Sequence, residues 1–139
     1  MTSSAPGEFE VYLGSFGDTA YGVWWDGDHL VYESFRTGYQ DREQLRLSPS
    51  DAQWRRFWRT MDEIDVWRWS ARYEAGARFE PQTQTRDGTH WSLTLAHAGR
   101  IVESSGDSAG PGAVDLDESV AFAAFLEAVS RLIGGRPFS

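Results

Sequence analysis

Apolar and polar positions first follow the period of a β-strand, then that of an α-helix. In "EFEVYLGSF" residues alternate, with Phe9, Val11 and Leu13 on one side, the mark of a half-buried strand. "YGVWW" and "HLVYESF" flank Asp26-Gly27-Asp28, which predicts a hairpin. A further β segment, "EQLRL", ends at Ser48. "SPSD" then predicts a helix start, with Ser48 as N-cap, Pro49 in the first helical position and Asp51 three residues after the cap. Trp54, Phe57, Trp58 and Met61 follow at helical spacing, so this stripe should pack on a sheet.

"IDVWRWSARY" returns to a period of two. It predicts a strand with Trp67, Trp69 and Tyr73 on one side and Ile64 and Val66 on the other. Trp67 and Trp69 are expected against a helix, with arginine stems over the outer face. One tryptophan of the pair, left partly exposed, would be an anchor for a ligand or partner. Residues 74–88 lack periodicity and are expected to be a long loop, as is the glycine-rich 106–114 segment. Between them "THWSLTLAHAGRIVESS" predicts a hairpin turning at Gly99. The closing helix is expected to start near Asp115 or Asp117, with Glu118 in its first turn. It should bury Phe122, Phe125, Leu126, Val129, Leu132 and Ile133 and stop at Gly134-Gly135. This order predicts an α+β fold: an antiparallel sheet of about six or seven strands with two helices on one face. Residues 1–139 are read as a single domain with a loose tail over 1–7.

Charge narrows the functions. The chain carries a net charge of −8, and all 13 basic residues are arginine. Residues 1–50 and 87–139 are acidic, while the tryptophan-rich middle is near neutral. An acidic protein repels phosphate backbones, so nucleic acid is not the expected partner; a basic protein is. Without cysteine there is no disulfide, thiolate metal site or cysteine nucleophile. "MTSSAPGEFE" lacks the basic and apolar regions of a signal peptide, and "SVAFAAFLEAVSRLI" is too short to span a bilayer. A cytoplasmic location away from membranes is expected.

No motif announces catalysis. "GDSAGP" at Gly106–Pro111 is similar to the nucleophile loop of chymotrypsin-like proteases, but His97 lies too close before Ser108, with a strand between them. His29, His90 and His97 have no metal-ligand spacing, and no phosphate-binding loop is present, so neither metal nor cofactor is expected. Glu33, Asp65, Glu74, Asp87 and Glu103 are acids whose relative placement the sequence leaves open.

"WRRFWRTMDEIDVWRWSARY", "DGTHWSLTL" and the terminal "FAAFLEAVSRLIGG" together resemble a group of small uncharacterised bacterial proteins. That group has a WxxFW helix, a WxW strand and a DGxxW strand. The resemblance covers roughly residues 50–135 and implies a shared fold; no activity comes with it. Where the group has Asn-Ala-Tyr-Pro, this chain has Asp107-Ser108-Ala109-Gly110-Pro111.

Two functional classes follow. One is a non-catalytic protein-binding or inhibitory module of immunity type, meeting a basic partner through acids such as Glu33, Asp41, Asp107 and Asp115, with Trp67 or Trp69 as anchor. The other is a small-molecule or enzymatic pocket lined by Trp67, Trp69 and Trp91.

Overall fold

The computed structural model describes residues 5–15, 19–36, 42–74, 89–107, 111 and 119–138. The fold is α+β. Seven strands, β1 (Glu8–Ser15), β2 (Thr19–Trp25), β3 (Leu30–Arg36), β4 (Arg42–Leu47), β5 (Arg72–Glu74), β6 (Thr89–His97) and β7 (Arg100–Asp107), form one sheet. Their order is β4-β3-β2-β1-β6-β7-β5. A meander of the first four strands meets the β6–β7 hairpin along β1, where Phe9 faces Leu95 and Val11 faces Leu93. All pairings are antiparallel except β5 with β7, which is parallel.

Both predicted hairpins form. At the first, the Asp26 carboxylate accepts the backbone N–H groups of Asp28 (2.9 Å) and His29 (2.7 Å), which hold that carboxyl below its ordinary pKa. At the second, Ala98 and Gly99 both have positive φ, the twist that a two-residue turn needs to match its strands.

Helix α1 (Asp51–Glu63) buries Trp54, Phe57, Trp58 and Met61, the stripe its spacing predicts. Its cap differs from expectation. Ser50, not Ser48, caps the helix, because Gln53 completes a reciprocal box: Gln53 N–H donates to Ser50 Oγ and Ser50 N–H donates to Gln53 Oε1. Helix α2 (Val120–Leu132) is capped by Ser119, whose Oγ accepts the Phe122 N–H at 3.1 Å. Asp115, Asp117 and Glu118 lie outside the described residues. The Gly135 N–H returns to the Ser130 carbonyl (2.8 Å) in a left-handed terminator that requires glycine. Beyond it Phe138 is buried and stacks on Tyr21.

The two helices share one core with one sheet face. Trp54 meets Phe9 and Trp25 edge-on, and Phe122 packs on Trp91.

The WxW segment is not a strand. Asp65 takes left-handed angles and Val66–Arg68 form a single 3₁₀ turn. Val66 is fully buried, and Trp67 curls back to stack on Trp58 at 6.0 Å. The Asp62 carboxylate fixes this turn, accepting the Trp67 indole N–H (2.9 Å) and the Arg100 guanidinium (2.8 Å). A tertiary contact thus overrides a local alternation.

Candidate functional site

Strand alternation sends half of the side chains away from the helices. Among the described residues no helix covers that second face. Register places them in rows. One row runs Glu33, Gly22, Tyr12, Ser92, Ser105; the next runs Val31, Trp24, Glu10, Thr94, Glu103. The acids Glu8, Glu10, Glu33, Glu103 and Asp107 share the face with the bases Arg46 and Arg72. Two large apolar side chains are exposed among them, Tyr12 at 42% and Ile101 at 60%.

Small residues hollow this face. Gly14 and Ala20 adjoin, and Tyr12 leans over Gly22, where an added Cβ would come within 2.9 Å of the tyrosine ring. The result is an open groove of about 540 Å³ bordered by Tyr12, Glu33, His90 and Asp107, with Arg72 and Ser105 at one side. Burial raises the Tyr12 phenol above its ordinary pKa, and the charges of Glu10 and Glu33 add to the shift.

At the far wall Asp107 receives hydrogen bonds from His90 on β6 and Arg72 on β5. The His90 hydrogen bond leads, and the Arg72 charge assists, in holding the Asp107 carboxyl below the ordinary range against its partial burial. Arg72 Nη1 also donates to Ser105 Oγ at 3.4 Å. β5 is placed for this by the preceding residues: Ser104 Oγ donates to the Ser70 carbonyl (2.6 Å) and Ser105 N–H to the Ala71 carbonyl (3.1 Å).

Of the residues singled out from sequence, Glu33 and Asp107 border the same groove. Asp41 and Asp115 lie outside the described residues, as do 75–88 and most of 106–114. Trp67 and Trp69 do not border the groove. Trp67 lies under the Arg100 guanidinium, 4.5 Å from its ring centre. Trp69 donates its indole N–H to the Ile64 carbonyl (3.2 Å) and meets Trp91 and Phe125 edge-on. Trp91 is buried and borders the groove. Tyr12, His90 and Arg72 are additions that only register reveals. The polar phase of β1 was their one signal in sequence, since it set Tyr12 beside Glu8 and Glu10.

The protease-like hexapeptide does not regain its histidine. His97 pairs with Arg100 at the turn of the β6–β7 hairpin, whereas Asp107 pairs with His90 at the other end. Seven residues of strand separate His90 from His97, roughly 24 Å at 3.4 Å per residue. His97 instead stacks on Trp58 at 4.3 Å. Ser108 lies outside the described residues. Among the described residues no three His, Asp or Glu side chains converge as a metal site, and no helix is long and apolar enough to cross a membrane. Comparison with protein-family models, with curated proteins and with solved structures found no match to this chain.

Proposed function

We propose that this chain is a non-catalytic binding module that holds a basic protein partner against the bare face of its sheet, as an immunity-type inhibitor would. One observation carries the reading: among the described strands, register sets Glu8, Glu10, Glu33, Glu74, Glu103 and Asp107 against Arg42, Arg46 and Arg72 on the helix-free face, with exposed Tyr12 and Ile101 between them. Strands spaced about 4.8 Å apart make this face roughly 29 Å wide and 20–25 Å long. That area, of order 600–700 Å², approaches the ~800 Å² that one partner contributes to a standard interface. A net negative face around an apolar centre accelerates encounter with a basic partner, an effect that fades with salt.

The test compares the wild type with a Glu10→Arg/Glu103→Arg double variant as bait in an extract of the native host. The expected result is a basic protein retained by the wild type, lost by the variant, and associating more slowly as ionic strength rises. An acidic partner, or retention indifferent to both charge reversal and salt, overturns the reading.

A further inference from the structure

On the helix side of the sheet α1 and α2 leave a small cleft between them, and we propose that it binds one carboxylate group. Gln53, Arg56 and Thr60 border it from α1, and Arg131 and Leu132 from α2. Positions three and four apart share one side of a helix, so each set faces the gap. Phe57 and Leu132 are buried and close the floor. The cleft measures about 50 Å³, far below the roughly 300 Å³ at which pockets for drug-sized ligands begin. At roughly 10–15 Å³ per water it has room for about four water-sized groups. That is the bulk of a carboxylate and the carbon that bears it.

The polar lining is rich in donors and contains no carboxylate. The capping box orients one of those donors. Ser50 N–H holds Gln53 Oε1 at 2.8 Å, which leaves the NH₂ of the same amide to donate elsewhere. Among the described residues neither that NH₂ nor the Arg56 guanidinium has a hydrogen-bond or ion-pair partner. Thr60 donates its hydroxyl hydrogen to the Arg56 carbonyl at 3.2 Å. Arg131 is paired with Glu127, one turn before it on α2, so the Arg56 charge is the one left uncompensated. A single positive charge matches a carboxylate better than a phosphate, which carries about −1.5 to −2 at pH 7. Hydrogen bonds to an ionised acceptor are roughly twice as strong as neutral ones, and a guanidinium presents a planar fork to a carboxylate. The acidic bare face lies across the sheet, and physiological salt screens exposed charges beyond about 8 Å.

The test titrates sodium acetate into the ¹⁵N-labelled protein at constant ionic strength, with sodium chloride as the balancing salt. Saturable shifts are expected at the Gln53 side-chain amide and at the backbone amides of Arg56, Thr60 and Arg131. Arg56→Gln should weaken acetate about 5-fold or more. Arg55→Gln removes an exposed charge that does not border the cleft, and should change the affinity by less than about 2-fold. Acetyl-Ala-Ala and its C-terminal amide separate two sources of the group. Tighter binding of the acid than of acetate assigns the carboxylate of a chain terminus, and equal or weaker binding assigns a small free carboxylate; either result supports the site. Shifts that do not saturate below about 100 mM acetate overturn the proposal. So do no loss in Arg56→Gln, equal losses in both variants, the same shifts from the peptide amide, or tighter binding of inorganic phosphate. Neither variant alters the bare face, so these outcomes leave the acidic-face reading where it stands.

Discussion

The two faces of one sheet use aromatic residues in opposite ways. Under the helices the rings of Trp54, Phe57, Trp58, Trp91 and Phe122 are buried and touch one another. On the bare face Tyr12 stands over a glycine among carboxylates. The flanking charges differ too. The helix layer mixes Arg55, Arg56, Arg59 and Arg131 with Asp51, Asp62, Glu63 and Glu127, while the bare face is mainly acidic. A ring in the first setting is held by packing on all sides. In the second it stands partly exposed over a glycine beside a row of charges, so its removal should cost recognition more than stability.

The largest expected effect tests that contrast. Trp58→Ala should lower the unfolding free energy by about 3–5 kcal/mol, the cost of emptying an aromatic core site. Tyr12→Ala should cost below about 1 kcal/mol, as exposed sites do. Urea unfolding of both variants checks this, and similar losses would erase the distinction between the faces.

Gly22→Ala sharpens it from the bare side. The new methyl group meets Tyr12 rather than the core, so the ring must swing away. A loss of about 1–2 kcal/mol is expected, near the low end for an overpacked site. Circular dichroism of the variant should stay native. A variant more than about 3 kcal/mol less stable would place Gly22 under a constraint beyond the tyrosine.

The smallest effect belongs to the covered side. Burial alone would raise the Asp62 carboxyl, but hydrogen bonds from Trp67 and Arg100 outweigh it and hold it below the ordinary range. Such a lowered carboxyl stabilises the fold above the unfolded-state pKa, about 3.9, and that contribution is lost as pH falls through the lower folded value. Asp62→Asn removes it. Because Asp62 is half exposed, the variant should be less stable by only about 0.5–1 kcal/mol at pH 7. The two stability curves should converge below about pH 4. A gap that persists at pH 2 would assign the effect to packing.

These residues also show what could be read from the chain. The α1 stripe was legible because helical spacing depends only on neighbours a few positions away. The turn at Trp67 was not. W-R-W alternates like a strand, and its fate is decided by Asp62 together with Arg100, which lies 38 residues away. The groove was half legible. Charge pointed to Glu33 and Asp107, but Tyr12, Arg72 and His90 join them only through a register set by six strands. The parallel pairing of β5 had no local signal either, since three residues are too few to carry a period.

Strand β1 has a further consequence in time. Its edge toward β2 is satisfied by the next few residues, but its other edge waits for β6, which begins at Thr89. At roughly 5–20 residues per second, a ribosome needs about 4–15 s to make the intervening chain. Throughout that interval the nascent four-strand meander presents an open edge bearing Phe9, Val11 and Leu13, a template for pairing with another chain. Glu8 and Glu10 punctuate that edge with charge, the usual guard against such pairing. The carboxylates assigned above to partner capture would thus act first as chaperones of their own strand, before any partner is met.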